Sequence, residues 1–113
     1  MIYEIRNYHV RPDLIDAYGA WTKAEALPYL ASHLDLLGFW INSNDAPEVR
    51  GAAHDHLGSA NVTWIIRWQD LAQRNEMMPR VLADPAWQEI FTRIPGGRAS
   101  LLRVEAKFAN DLM

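Results

Sequence analysis

The chain has 113 residues, half of them apolar and 22% charged, with five tryptophans and a formal net charge of −3. That length supports one hydrophobic core, so a single domain over residues 1–113 is expected, and the apolar content excludes a disordered chain. Scattered Lys and Arg in a slightly acidic chain exclude a phosphate-tracking surface and hence nucleic acid as a partner, while the lack of cysteine excludes disulfides, thiolate nucleophiles and Cys-ligated metals.

Strand-like residues begin at Met1 and Ile2 and no run of ~18 apolar residues follows, so no signal peptide and no membrane span are expected, and the location reads as cytoplasmic. Ile2 to Val10, rich in β-branched and aromatic residues, predicts a first strand that ends at Arg11-Pro12-Asp13. Leu14, Tyr18 and Trp21, then Leu27, Leu30 and Leu34, recur at helical spacing with a shift of phase at Pro28, which predicts a long first helix kinked there. Leu37 to Asn42 reads as a short second strand. Residues 43–60 collect Ser, Asn, Asp, Pro and Gly without periodicity and predict a long loop.

Asn61 to Trp68 predicts a third strand, and Asp70 caps a helix carrying Leu71, Met78, Val81 and Leu82 that Pro79 should distort or end early. Asp84-Pro85 repeats the start signal before Trp87, Ile90, Phe91 and Ile94; Pro95-Gly96-Gly97 stops that helix, and Ala99 to Phe108 forms a last strand. The order is βαβ followed by βαβ with a divided second helix, the arrangement of an α+β ferredoxin-like sandwich with an antiparallel four-stranded sheet.

Alternation along the strands assigns their faces. In the third strand Val62, Trp64, Ile66 and Trp68 share the face that helices should cover, opposite Asn61, Thr63, Ile65 and Arg67. The first strand is mixed on both sides. Its Glu4, Arg6, Tyr8 and Val10 are assigned to the outer face, where opposite charges pair with Arg67, Arg103 and Glu105; this leaves Tyr3, Ile5, Asn7 and His9 toward the helices. Helices on one side only leave the second face to solvent or to a partner sheet, and a two-fold pairing into a barrel is preferred over an open monomer.

Ile2-Tyr3-Glu4-Ile5-Arg6-Asn7-Tyr8, Arg11-Pro12 and Leu37-Gly38-Phe39-Trp40, with Trp68 to Arg74 and Asp84-Pro85-Ala86-Trp87, together resemble the NIPSNAP family over nearly the whole chain. The resemblance implies a dimeric α+β barrel and a homodimer. It departs from the family at Asn7, where a small hydroxyl residue is more usual, and at the longer 43–60 loop. Relatives in the superfamily range from cofactor-free oxygenases to heme-degrading enzymes, so the chemistry must come from the site.

The expected pocket gathers Tyr3, Asn7, His9, Trp64 and Trp68, with His33, Trp40, Trp87 and Phe91 near them. Aromatic walls with a few polar groups suit a small hydrophobic or aromatic ligand; the alternative is that the aromatics only fill a core of a structural protein. Asn7 and Trp68 are similar in strand position to the Asn and Trp of heme-degrading relatives, but residues 84–94 contain no histidine to ligate heme, so no cofactor is expected. A cofactor-free monooxygenase acting on an activated aromatic substrate is the enzymatic alternative, with Asn7 as hydrogen-bond donor and His33 as acid/base. His54-Asp55-His56 matches no metal-binding spacing, so no metal is expected, and the loop bearing it is read as a lid, a dimer arm or a free segment.

Overall fold

A computed structural model describes residues 1–52 and 55–113 of the chain. Strand β1 (Ile2–Val10) leads through a 3-10 turn at Pro12–Leu14 into α1 (Ile15–Trp21), a π-helical turn at Thr22–Ala26, and α2 (Leu27–His33). The expected kink at Pro28 takes the form of that π turn. A helical proline lacks its N–H and presses on the carbonyl four residues earlier, here that of Ala24, and the wider turn just before it relieves the clash.

Strands β2 (Leu36–Ile41) and β3 (Val62–Trp68) follow, then α3 (Leu71–Ala83), α4 (Pro85–Phe91), a 3-10 turn at Arg98–Ser100 and β4 (Leu101–Asn110). Asp70 caps α3 by accepting from the Gln73 N–H at 2.8 Å. Pro79 does not end α3, which continues to Ala83; Met78 and Val81 on either side of it are buried in the core, and that packing holds the last turn.

The four strands form an antiparallel sheet in the order β2-β3-β1-β4, the ferredoxin-like topology. Its register settles the faces. Glu4 stands opposite Ile66, Arg6 opposite Trp64 and Tyr8 opposite Val62, and directly opposed residues project to the same side. Glu4, Arg6, Tyr8 and Val10 therefore lie beneath the helices with Trp64, Ile66 and Trp68, while Tyr3, Ile5, Asn7 and His9 lie on the open face with Thr63, Ile65 and Arg67. This reverses the phase expected for β1. Charge suggested an outer face for Glu4 and Arg6, but here the charges are buried because they neutralise one another.

Glu4 has no exposed surface. Its carboxylate accepts from Arg6 at 2.6 Å, from Arg74 on α3 at 3.0 and 3.2 Å, and from the Trp68 indole N–H at 3.1 Å. Burial by itself raises a carboxyl pKa, but the hydrogen bonds and charges of Arg74 and Arg6 outweigh it and hold Glu4 below its ordinary value of 4.5. One acid thus ties β1 to β3 and to α3.

The β1–β4 register shifts between His9 and Val10. Asn61 mends the irregularity from the other side: its side-chain carbonyl accepts from the Val10 N–H at 2.8 Å and its amide donates to the Val10 carbonyl at 2.7 Å, standing in for a strand partner. The segment between β2 and β3 packs on the open face, where Arg103 pairs with Asp55 and donates to the Gly58 carbonyl at 3.2 Å. His54, part of the His54-Asp55-His56 run, lies outside the described residues. Among the described residues no helix is long and apolar enough to cross a membrane.

The Glu4 cluster makes a direct prediction. Glu4→Gln leaves two arginines facing a neutral amide under the helices and is expected to lower unfolding free energy by about 3 kcal/mol at neutral pH, measured by denaturant titration. Because the folded carboxyl titrates below 4.5, its contribution is present above that pH and is lost as pH falls through the lower folded value. The wild type should lose stability through that acid window more steeply than Glu4→Gln; identical acid limbs would show that the carboxylate is not the titrating support.

Candidate functional site: a cleft between the sheet and the last helix

The placement of α4 creates the site. Asp84 caps α4 by accepting from the Ala86 N–H at 3.0 Å and also accepts from the Tyr29 hydroxyl at 2.5 Å, which ties the helix start to α2. The Trp21 indole donates to the Ile90 carbonyl at 3.2 Å near the other end. Between these anchors Trp87 stacks on Tyr29 at 5.6 Å and lies 6.0 Å from the Phe91 ring. Burial, followed by the Asp84 carboxylate, pushes the Tyr29 phenol up to about 12, while the Tyr29 bond and then the Ala86 N–H hold Asp84 below the usual carboxylate range.

Facing α4 across a cleft of about 520 Å³ are Arg6, Tyr8, Leu101 and Val104 of the sheet; Trp87, Gln88, Phe91 and Thr92 form the helix side, with Leu82 and Arg98 completing the wall. Arg6, Tyr8, Trp87, Phe91 and Leu101 are wholly or partly buried and make the floor, whereas Leu82, Gln88, Thr92, Arg98 and Val104 are exposed and make the rim. Tyr8, Trp87, Phe91 and Leu101 also line a pouch of about 60 Å³ walled further in by Tyr18, Trp21, Phe39 and Trp64. Phe39 stacks on Trp64 at 5.4 Å, and Tyr8 meets Trp64 edge-on at 6.1 Å. The Trp64 indole N–H is buried and makes no hydrogen bond of good geometry among the described residues.

The polar equipment of the cleft is cationic and hydroxylic. Arg6 donates from Nε to the Tyr8 hydroxyl at 2.7 Å, and its guanidinium lies 5.2 Å from the Trp64 ring. Burial pushes the Tyr8 phenol up against the charge of Arg6, so Tyr8 remains a protonated donor. Arg98 is delivered to the rim by Gly96 and Gly97, whose φ values of 74° and 69° favour glycine; a Cβ on Gly96 would lie 2.4 Å from Leu14 Cδ1. Its guanidinium lies over the Phe91 ring at 5.0 Å. Among the described residues no Asp, Glu or His lines this cleft.

The sequence model of the NIPSNAP family matches residues 3–98. The chain belongs to the NIPSNAP family. Among solved structures, protein Atu4242 of Agrobacterium tumefaciens is 25% identical with a TM-score of 0.75, over 97% of this chain and 92% of the other. An uncharacterized NIPSNAP domain protein from Burkholderia xenovorans is 21% identical with a TM-score of 0.75, over 98% and 94%. An antibiotic biosynthesis monooxygenase shares the fold at 13% identity and a TM-score of 0.57, over all of both chains. No curated protein matches the chain.

In this NIPSNAP chain Trp64, Trp87 and Phe91 of the expected pocket come together. Trp68 shares the helix-covered face, but its N–H is given to Glu4 and it stays outside the cleft. Tyr3, Asn7, His9 and Trp40 are on the open face instead, a consequence of the β1 register and of Trp40 standing opposite Thr63. There Asn7 accepts from Thr63 at 2.7 Å and faces Glu105 at 3.5 Å, Tyr3 donates to Asp111 at 3.3 Å, and buried His9 Nδ1 has no partner among the described residues. Trp40 is 51% exposed. Asn7 and Trp68, read together from the sequence, are on opposite sides of the sheet.

His33 stacks on Tyr29 at 4.0 Å and lies 4.0 Å from Asp84, lining a separate groove with Met77, Arg80 and Val81. It does not meet Asn7. Arg6, Tyr8 and Arg98 were missed as cleft residues. The acid at Glu4 and the base at Arg74 are the available sequence signal for burying Arg6, since an internal Glu needs cations near it.

Asp84 both caps α4 and holds Tyr29, so the site depends on it through two bonds. Asp84→Ala is expected to lower the thermal midpoint more than Tyr29→Phe, and to red-shift tryptophan emission as Trp87 loosens; equal midpoints would mean that the cap contributes nothing to the pose of α4.

Proposed function

We propose that this NIPSNAP chain acts as a homodimer that binds a small hydrophobic or aromatic molecule in the cleft between the sheet and α4. The observation that carries this reading is the open cleft bordering an aromatic pouch with which it shares Tyr8, Trp87, Phe91 and Leu101 as lining. A ligand ring stacked against Trp87 and Phe91 fits such walls. Binding is preferred to turnover because no carboxylate or imidazole among the described residues lines the cleft, and Asn7 and His33, on which a cofactor-free monooxygenase reading relied, are not among its walls.

Homodimerisation is supported by the open face. Ile5 and Ile65 stand opposite one another there, beside half-exposed Trp40, between paired polar groups such as Thr63 with Asn7. A second copy turned about a two-fold axis covers this mixture, with Lys107, opposite Ile5, left to find its carboxylate on the partner. Light scattering at several concentrations should give twice the chain mass for the wild type and a monomer for Ile65→Asp; a wild-type monomer throughout removes the dimer from the proposal.

The ligand site has its own test. Ligand-observed NMR with 1-naphthylmethanol should show saturable binding to the wild type. Phe91→Ala removes one wall and Leu82→Trp blocks the exposed rim, and each should weaken binding by about tenfold, the effect of ~1.4 kcal/mol. Absence of saturable binding, or binding untouched by both variants, rejects the cleft as the site.

A further inference from the structure

The charges around the cleft say more about its ligand. Of the nine arginines in this acidic chain, seven pair with a carboxylate. The two that hold none among the described residues are Arg50, exposed in the segment between β2 and β3, and Arg98 at the cleft rim. Arg98 is also oriented, by the glycine pair before it and by the Phe91 ring beneath its guanidinium. Arg6, at the floor, brings a second guanidinium, of which Nε is committed to Tyr8 and one terminal nitrogen to Glu4.

Two cations and no acid therefore wall a cleft in a protein of net charge −3. Such a wall repels a ligand amine and leaves a guanidinium fork for an anion; Gln88 beside it supplies a neutral donor, while the Thr92 hydroxyl gives its proton to the Glu89 carbonyl at 2.6 Å. We infer that the ligand of this cleft is an aromatic carboxylic acid, its ring against Trp87 and Phe91 and its carboxylate held at the rim by Arg98. This inference rests on the reading of the cleft as an aromatic-binding site and specifies its substrate class. A carboxylate fits better than a neutral polar group because a planar fork meets two coplanar oxygens in parallel hydrogen bonds.

The test compares two probes of the same ring system, 1-naphthoate and neutral 1-naphthylmethanol, by calorimetric titration of the full chain at low salt. Naphthoate should bind about tenfold or more tightly than the alcohol, a margin typical of one charge-assisted pair, and added salt should weaken only the acid. Arg98→Met should abolish the preference, bringing the ratio of naphthoate to alcohol affinity to about one, while Arg50→Met, which removes the same charge elsewhere, should leave that ratio as in the wild type. Equal affinity of both probes for the wild type overturns the carboxylate assignment and leaves aromatic binding standing. An equal loss of naphthoate in Arg50→Met also overturns it, since the effect is then general charge. If neither probe binds, the cleft reading itself fails and the inference with it.

Discussion

A single buried carboxylate organises this molecule. Glu4 collects hydrogen bonds from β1, β3 and α3, and an acid with no exposed surface is tolerable only when every lone pair is met by a donor. The consequence reaches the site. Arg6, fixed at one end by Glu4, is presented to the Tyr8 hydroxyl and to the face of Trp64, so the floor of the cleft is set by the same charge cluster that joins sheet to helix. Arg74 and Trp68, remote from the cleft, belong to its support.

The second constraint is the pose of α4. A helix of seven residues has little stability of its own, and its position comes from contacts with α2 at its start and with Trp21 near its end. Asp84 answers two needs with its two oxygens, one toward the orphan N–H of Ala86 and one toward Tyr29. Trp87 and Phe91, four residues apart, consequently fall on the cleft side together.

The fold was legible where pattern and punctuation agreed. Strand-forming residues in β1 and β3, the Asp-Pro start before α4 and the Pro95-Gly96-Gly97 stop each carry a local physical reason, and together they gave the element order and the ferredoxin-like topology. The face of β1 was not legible. Polar and apolar residues occupy both of its phases, so alternation alone cannot choose, and the deciding term is a long-range charge cluster completed by Arg74, seventy positions beyond Glu4. Because a shift of phase moves every side chain across the sheet, this one error sent Tyr3, Asn7 and His9 to the wrong side and hid Arg6 and Tyr8. Trp64, Trp87 and Phe91 lie on the side expected of them because each sits in an element whose phase is unambiguous.

The two sides of the sheet are chemically independent as a result. On the open face the polar groups are largely answered within the chain, by Thr63 with Asn7, Arg67 with Asp35 and Arg103 with Asp55, so covering it requires little further desolvation of lone charges. Across the sheet, the cleft rim keeps an arginine, Arg98, that pairs with no acid among the described residues. A face whose charges are mostly paired and a cavity edged by an unpaired guanidinium make different chemical demands. The strands separate these demands with no more than their two-residue period, since adjacent residues of β1, Arg6 and Asn7, serve opposite sides.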